Sequence, residues 1–112
     1  MEQTKICVEV IRYGSAQYDQ AAQLRYALFY QEHGISYESI FDQDEHQQIH
    51  VAVINTNNDV MAYGRLAQNN PLEFQIYQMV VKPDFQGHGF GSAILNALIQ
   101  LAVEKGASQI AD

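Results

Sequence analysis

Residues 80–91 read VVKPDFQGHGFG, and they join an apolar strand to an apolar helix through a loop in which every second residue is glycine. Gly87, Gly89 and Gly91 carry no side chain that would hold a ligand away from the backbone, and glycine accepts positive φ angles that other residues avoid. Residues 92–105 have helical spacing, so the first N–H groups of that helix point back into the loop without an intrahelical partner. The stretch therefore predicts an anion site made of backbone groups, suited to a pyrophosphate.

The spacing of the glycines discriminates among phosphate-binding loops. A mononucleotide P-loop requires Gly-x-x-x-x-Gly-Lys-Ser/Thr, and the sequence contains no such string. A dinucleotide-binding fold requires Gly-x-Gly-x-x-Gly directly after a strand, whereas here the third glycine comes one residue early and residues 82–86 intervene. Asp112 does fall near the offset of the ribose-binding acid in such a fold, so a dinucleotide-binding protein stays an alternative. A second alternative is that the glycines only make a tight connection.

Length and charge narrow the class of protein. The chain has 112 residues, enough for one domain with a single core. Its net charge of −7 argues against nucleic acid or an anionic membrane surface as a partner, and favours a cationic substrate such as an amine. The first residues lack the apolar core of a signal peptide and no run is long enough to cross a bilayer, so a cytoplasmic location is expected. The single Cys7 lies in an apolar strand and is predicted to be a buried, inert thiol.

Hydrophobic periodicity predicts seven elements in the order β-α-β-β-β-α-β. Strands are expected at residues 6–13, 49–54, 60–67, 72–81 and 107–112, and helices at residues 18–33 and 93–105. Gly34 and Gly106 stand where a glycine ends a helix, and the polar, acidic residues 35–48 are expected to form a loop or a short helix.

The fourth predicted strand changes phase. Its apolar residues keep one parity up to Ile76 and the opposite parity from Met79 onwards. Because side chains alternate along a strand, the change indicates either burial on both faces or an inserted residue near residues 77–78. A β-bulge there would separate the strand from its next neighbour and leave backbone groups unpaired.

Residues 81–91 fit the string Val-x-Pro-x-x-Gln-Gly-x-Gly-x-Gly, which resembles the acetyl-CoA loop of the GNAT family of N-acetyltransferases at every position. In that family the loop and the helix N-terminus hold the pyrophosphate of coenzyme A. Residues 24–35, LRYALFYQEHGI, followed by Asp42 and His50, resemble the ElaA/YjcF-like branch, whose helix carries Arg-x-x-Val-Phe-Val-x-Glu-Gln. Leu28 stands for the valine and His33 for the glutamine. Together the two stretches extend the resemblance over most of residues 18–110.

The resemblance implies an α/β GNAT acyl-CoA N-acyltransferase fold, a mixed and mostly antiparallel central sheet with flanking helices. Residues 1–112 would form a single, partial N-acetyltransferase domain, truncated at the C-terminus, because the family continues with another helix and further strands. Relatives carry a bulge in the fourth strand, and the acyl-pantetheine arm lies in the resulting cleft. A last strand with an open edge promotes association, so a homodimer or a swapped assembly is expected.

The resemblance also implies a reaction, the direct transfer of acetyl from acetyl-CoA to a primary amine of a small molecule or peptide. A neutral amine attacks the thioester carbonyl, a strand amide hydrogen-bonds the developing oxyanion, and a base or a water chain removes the proton. A catalytically incomplete acyl-CoA-binding module is the alternative. By motif position, the cofactor-binding residues are Met79, Val80, Val81, Gln86, Gly87, His88, Gly89, Phe90, Gly91 and Ser92.

Two residues are the candidate catalytic groups. Tyr77 occupies a position where many relatives have glutamate, although a neutral phenol is a much weaker base than a carboxylate. Glu32 lies in the second motif, where a solvated or structural role is the alternative. Arg25 is expected to form a structural ion pair, with Glu32 or with Asp42. Further candidate bases, each more often a solvated or structural group, are Asp42, Glu73 and His50.

The acidic loop also carries residues that could bind a metal. His46 and His50 have i, i+4 spacing, with Asp42, Asp44 and Glu45 close by in sequence. A solvated acidic loop running into a strand explains the same residues, so no metal is expected.

Overall fold

The computed structural model describes residues 6–112 as a five-stranded sheet with two α-helices. The strands are β1 (Ile6–Ile11), β2 (Ile49–Asn55), β3 (Val60–Asn70), β4 (Glu73–Val81) and β5 (Gln109–Ala111), and the helices are α1 (Ala16–Phe29) and α2 (Phe90–Glu104). The predicted order β-α-β-β-β-α-β is confirmed. None of the described helices is long and apolar enough to cross a membrane.

The strands are hydrogen-bonded in chain order, β1-β2-β3-β4-β5. The first four strands run antiparallel, and the hairpin between β2 and β3 closes through a turn at Asn58, whose φ is +62°. β5 returns through α2 to lie parallel to β4, and pairs with it only from Glu73↔Gln109 to Gln75↔Ala111. Within the described residues, the second half of β4 therefore has a strand neighbour on one side only.

The phase change in β4 is caused by a β-bulge, which was one of the two predicted alternatives. Arg65 pairs with Tyr77, and Tyr63 pairs with Val80, so two steps along β3 face three steps along β4. The inserted residue is Gln78, which has φ +50°. A non-glycine residue in this conformation costs about 1–2 kcal/mol, so the rest of the fold must hold it there.

One helix covers each face of the sheet. The face under α2 buries Ile94, Leu98 and Ala102 against the alternating apolar residues of β2, β3 and β4. The opposite face packs Tyr63 and Val80 against α1. The α2 interface is tight, since a Cβ added at Gly64 would lie 2.7 Å from Ile94 Cγ2. The two cores hold the bulged strand between the helices.

Several element boundaries differ from the sequence prediction. α1 ends at Phe29, and a 3-10 turn at Gln31–His33 follows it, so Gly34 (φ +70°) ends that turn rather than the helix. α2 begins at Phe90, three residues before the predicted start. The prediction that Cys7 is buried is wrong, because β1 is an edge strand and its thiol is exposed.

Candidate functional site

The loop between β4 and α2 has the open backbone that the glycines predict. Gly87 and Gly89 have φ values of +83° and +84°, and a Cβ added at either would meet nothing within 4 Å. Gly89 occupies the N-cap position of α2 without a side chain that could satisfy the first turn. The glycines thus leave a concave stretch of bare backbone in front of the helix.

The N–H groups of residues 87–92 lie along this loop and the first turn of α2. In the described part of the chain none of them donates to a carbonyl or a side chain, and the first bond of α2 is from Ala93 N–H to Gly89 O, 3.0 Å. Unpaired N–H groups at the start of a 15-residue helix carry the positive end of its dipole. The exposed side chains of Lys82 and His88 flank the same loop. The site can bind a polyanion although the chain as a whole is acidic.

An apolar cleft of about 290 Å³ leads from the glycine loop to the bulge. Its first wall is the end of α1, Leu28 and Phe29, and its second wall is the strand Met79, Val80 and Val81. Gln86 lines the end next to the loop. Because β5 does not extend beside the second wall, its outward backbone groups have no strand partner among the described residues. We call this space the acyl cleft.

A second, polar pocket of about 300 Å³ lies before the bulge. Asp42 and Asp44 contribute carboxylates to it, Gln48 an amide and Tyr77 a phenol. The Tyr77 hydroxyl donates to Gln75 Oε1 at 2.9 Å, and the guanidinium of Arg65 lies 5.4 Å from the Tyr77 ring. Tyr77 precedes Gln78 and Met79 follows it, so the polar pocket and the acyl cleft adjoin the two sides of the bulge.

A buried charge cluster lies beneath this region. The Glu45 carboxylate accepts from Arg25 at 2.8 and 3.1 Å and from the Asp42 N–H at 2.7 Å, and it pairs with Arg65 Nη1 at 3.1 Å. The Tyr18 hydroxyl donates to it at 2.7 Å. Burial alone would raise the pKa of Glu45, but the hydrogen bonds outweigh burial and lower that pKa to about 2. Glu45 is therefore an ionised structural group.

His50 is satisfied on both ring nitrogens. Nε2 lies 2.8 Å from the Glu45 carbonyl, which can only accept, so Nε2 carries the proton. Nδ1 then accepts from the Tyr63 hydroxyl at 2.6 Å. Burial lowers the pKa of His50, and burial raises the pKa of Tyr63 to about 12. The arrangement keeps a neutral imidazole in the core, which leaves no free nitrogen for catalysis.

The side chain of Gln78 connects the bulge to α1. Its Oε1 accepts from Arg25 Nε at 2.6 Å and from Arg65 Nη1 at 3.4 Å. Its Nε2 donates to the hydroxyl of Tyr30. Arg25 thus contacts the acidic loop through one edge of its guanidinium and the bulge through Nε.

The structure separates the two candidate catalytic residues. Tyr77 is half-buried in the polar pocket, whereas Glu32 is 79% exposed on the turn after α1, with His33 Nε2 at 3.5 Å. The expected partners of Arg25 are wrong, since it pairs with Glu45 in place of Glu32 or Asp42. Glu45 was not distinguishable in the sequence from its acidic neighbours, and Gln78 was marked only by the phase change.

No group of three or more His, Cys, Asp or Glu side chains within residues 6–112 could hold a metal ion. Of the residues in the acidic loop, Glu45 and His50 turn inwards to the charge cluster, while Asp42, Asp44 and His46 are exposed.

Comparison with known proteins identifies related folds. A model of the acetyltransferase (GNAT) family matches residues 18–111. A Trypanosoma brucei acetyltransferase is 14% identical, with a TM-score of 0.71 and coverage of 96% of this chain and 82% of that chain. An aminoglycoside acetyltransferase from an uncultured soil metagenomic sample, in complex with sisomicin, is 16% identical with a TM-score of 0.73, covering 96% and 76%. An aminoglycoside 6′-N-acetyltransferase complexed with coenzyme A is 16% identical with a TM-score of 0.75, covering 90% and 57%. No curated protein matches the chain.

The fold, a mixed sheet with a bulged fourth strand and a glycine loop at a helix N-terminus, matches the folds of these acetyltransferases. The family match covers residues 18–111, which include both the bulge and the loop. The chain belongs to the acetyltransferase (GNAT) family. This membership argues against the dinucleotide-binding alternative. The three structural neighbours named above, at 14% and 16% identity, show the fold and nothing further.

Proposed function

We propose that this chain is an acetyl-CoA-dependent N-acetyltransferase that moves an acetyl group to a primary amine of a small molecule or peptide. The observation that carries the proposal is the set of N–H groups at residues 87–92, which are unpaired in the described part of the chain and directly follow Gln86 at one end of the acyl cleft. A pyrophosphate on these N–H groups would leave the attached arm beside the strand Met79–Val81. This order of sites suits coenzyme A, which has a diphosphate at one end and a thioester at the other.

The cofactor contacts are made mainly by the backbone. Gln86 to Ser92 would hold the pyrophosphate, with Lys82 at the edge of the loop adding a positive charge. The backbone groups of Met79, Val80 and Val81 would hydrogen-bond the pantetheine arm and the thioester carbonyl. Glycine at 87 and 89 is what allows the phosphate oxygens to approach the N–H groups.

The reaction takes place at the bulge. A neutral amine enters from the polar pocket and its nitrogen bonds to the carbonyl carbon, so that a tetrahedral intermediate forms with its oxyanion on a β4 amide. The C–S bond then breaks, the amine proton leaves through a base, and the coenzyme A thiolate takes up a proton. Tyr77, which directly precedes the inserted Gln78, is the first candidate for the base, and Glu32, on the turn after α1, is the second.

The polar pocket suits a cationic acceptor. Asp42 and Asp44 both line it, and the chain has a formal net charge of −7. Carboxylates at the pocket would attract a protonated amine, and a second ammonium group on the same acceptor could stay charged there while the first reacts. We therefore expect diamines to be better acceptors than neutral monoamines.

One observation favours the alternative, an acyl-CoA-binding module without turnover. Two buried ionisable groups, Glu45 and the candidate base His50, are fully engaged in hydrogen bonds and cannot serve as a base. Release of free thiol from acetyl-CoA with a panel of amines decides between the two functions. Binding without amine-dependent thiol release would support the module.

The cofactor assignment is tested by Gly89→Val. Valine at φ +84° is strained and its methyl groups would cover the N–H groups, so acetyl-CoA affinity in calorimetry should fall by at least about tenfold. Gly34→Val is the matched control, because Gly34 has φ +70° and open space around it but lies outside the loop. Equal affinity of the two folded variants, or no acetyl-CoA binding by the unaltered protein, would contradict the proposal.

Self-association is a further part of the proposal. The edge strand β1 exposes Ile6 and Val8 at 44% and Val10 at 61%, an apolar row that association would cover. We expect a homodimer at micromolar concentration in sedimentation velocity. A single monomeric species over that range would remove this part and leave the cofactor assignment standing.

A further inference from the structure

We infer that Gln78 is a positioning residue that holds the two walls of the acyl cleft at a fixed spacing. The inference rests on the proposed function, because the cleft matters only if it receives the acyl-pantetheine arm. The bulge alone interrupts the pairing of β4 but does not fix its distance from α1. The side chain of Gln78 connects β4 to α1 through hydrogen bonds.

The backbone of Gln78 is unusual for its residue type. Within residues 6–112 only two non-glycine residues have positive φ, Asn58 at +62° and Gln78 at +50°. Asn58 lies in a hairpin turn, where asparagine tolerates this conformation because its short side chain bonds locally. Gln78 lies inside a strand and has no such local compensation. Its side chain makes tertiary hydrogen bonds instead, to Arg25, Arg65 and Tyr30.

Each end of the Gln78 amide contacts α1 or the turn after it. Oε1 accepts from Arg25 Nε at 2.6 Å, and Nε2 donates to the Tyr30 hydroxyl. Tyr30 directly follows Phe29 of the first cleft wall, and Gln78 directly precedes Met79 of the second wall. The bonds therefore join the walls at the point where each begins. A change in either bond would shift one wall against the other.

The α1 end of this connection is buried and held by several hydrogen bonds. Arg25 is fully buried, and its two terminal nitrogens are held by the Glu45 carboxylate at 2.8 and 3.1 Å. Nε is the remaining donor, and it is directed at Gln78. Because a guanidinium is planar, fixing its terminal edge also fixes the direction of Nε. The charge cluster thus fixes the orientation of Arg25, and the hydrogen bond from Arg25 Nε to the Gln78 amide fixes β4 relative to α1.

The arrangement separates two parts of the ligand. The pyrophosphate site uses N–H groups of residues 87–92, which Gln78 does not contact, whereas the cleft walls begin at Gln78. Loss of the Gln78 amide should weaken the binding of the pantetheine and acyl part and leave the nucleotide part unaffected. This split distinguishes a positioning role from general destabilisation, which would weaken both.

Three variants test the inference by calorimetry, with acetyl-CoA and with 3′-phosphoadenosine 5′-diphosphate, which is the nucleotide part of coenzyme A. Gln78→Gly keeps the backbone conformation accessible and removes both bonds. Gln78→Glu keeps an oxygen that accepts from Arg25. Its second carboxylate oxygen can accept from the Tyr30 hydroxyl, which replaces the bond that the Gln78 amide donates. Asn58→Gly is the matched control, since it makes the same backbone change at the other positive-φ residue, away from the cleft.

We expect Gln78→Gly to weaken acetyl-CoA binding about tenfold and to change the affinity for the nucleotide part less than about twofold. Gln78→Glu and Asn58→Gly should keep both affinities within about threefold. If Gln78→Gly does not fold, Tyr30→Phe removes one bond without touching the strand and should weaken acetyl-CoA binding alone, by about threefold to tenfold. Unchanged acetyl-CoA affinity in the folded variant, or equal weakening of both ligands, would overturn the inference. Failure of the unaltered protein to bind either ligand would instead contradict the proposed function, and the inference with it.

Discussion

Arg25 and Glu45, 20 positions apart in the chain, form an ion pair inside the protein, with Nη1 2.8 Å from Oε1 and both side chains at most 1% exposed. Arg65 joins the same carboxylate at 3.1 Å, so two guanidinium groups share one negative charge. The pair fixes the acidic loop to α1 and, through Arg25 Nε, to the bulge of β4. A surface ion pair would contribute little, but here both arginines are buried and, among the described residues, Glu45 is the one acid that pairs with either of them.

The first prediction concerns the removal of the shared charge. Glu45→Gln leaves both arginines buried without a counter-ion, so the free energy of unfolding should fall by about 3–5 kcal/mol. Urea denaturation followed by circular dichroism measures the change. Glu32→Gln is the control, because the Glu32 side chain is 79% exposed and its loss should change stability by less than about 0.5 kcal/mol. Similar midpoints for the two variants would show that the cluster does not stabilise the fold.

The second prediction concerns acid. The pKa of Glu45 is about 2 in the folded protein, below its ordinary 4.5, so its contribution to stability is complete above pH 4.5 and is lost as the pH falls towards 2. Burial lowers the pKa of His50 below its ordinary 6.5, so its contribution is complete above pH 6.5 and is lost as the pH falls through its lowered pKa. Stability should therefore decline from about pH 6.5 downwards, with a slope of up to about 1.4 kcal/mol per pH unit for each proton taken up on unfolding.

His50→Asn tests the upper part of that pH range. Asparagine does not titrate, so the dependence of unfolding free energy on pH between 7 and 5 should flatten, whatever the overall loss of stability. His88→Gln, at an exposed position in the glycine loop, should keep the slope of the unaltered protein. An identical slope in all three proteins would mean that His50 takes up no proton on unfolding.

The third prediction uses the two glycines without positive φ. Gly64→Ala would place a Cβ 2.7 Å from Ile94 Cγ2 and 3.0 Å from Leu98 Cδ1, so the strand and α2 must separate at a cost of about 1–3 kcal/mol. Gly91→Ala meets only Val81 Cγ2, at 3.6 Å, and lies in the first turn of α2, where alanine favours the helix by up to about 1 kcal/mol. We expect Gly64→Ala to lower the thermal midpoint of unfolding and Gly91→Ala to raise it. A Gly64→Ala protein as stable as the unaltered one would contradict the tight α2 interface.

Local sequence signals predicted most of the fold. The apolar periodicity of residues 93–105 predicted α2, because helical periodicity is a local signal. The parity change between Ile76 and Met79 left two possibilities, a bulge or burial on both faces, and the register of β3 against β4 shows the bulge. Boundaries were predicted less well, since caps and 3-10 turns depend on contacts that a sequence pattern does not contain.

The buried part of the site could not be predicted from the sequence. Arg25 was expected to pair with Glu32 or Asp42, because any of several acids in residues 32–45 could face it and only the path of the chain selects Glu45. Cys7 was expected to be buried because its neighbours are apolar, but an edge strand exposes such residues when nothing packs on it. Residue type indicates the environment that a side chain favours, but the path of the chain determines its actual burial and its partners.

The last prediction concerns the proposed base. Tyr77 lines the polar pocket next to the bulge, so under the proposed reaction Tyr77→Phe should lower kcat by about a hundredfold or more and leave acetyl-CoA affinity within about twofold. Glu32→Gln should change kcat by less than about twofold if Tyr77 is the base, because its carboxylate lies in solvent. Steady-state release of coenzyme A with a diamine measures kcat, and calorimetry measures affinity. The reverse order of effects would assign the proton transfer to Glu32, and a full kcat in both variants would leave it to the Asp42 and Asp44 carboxylates or to a chain of waters in the polar pocket.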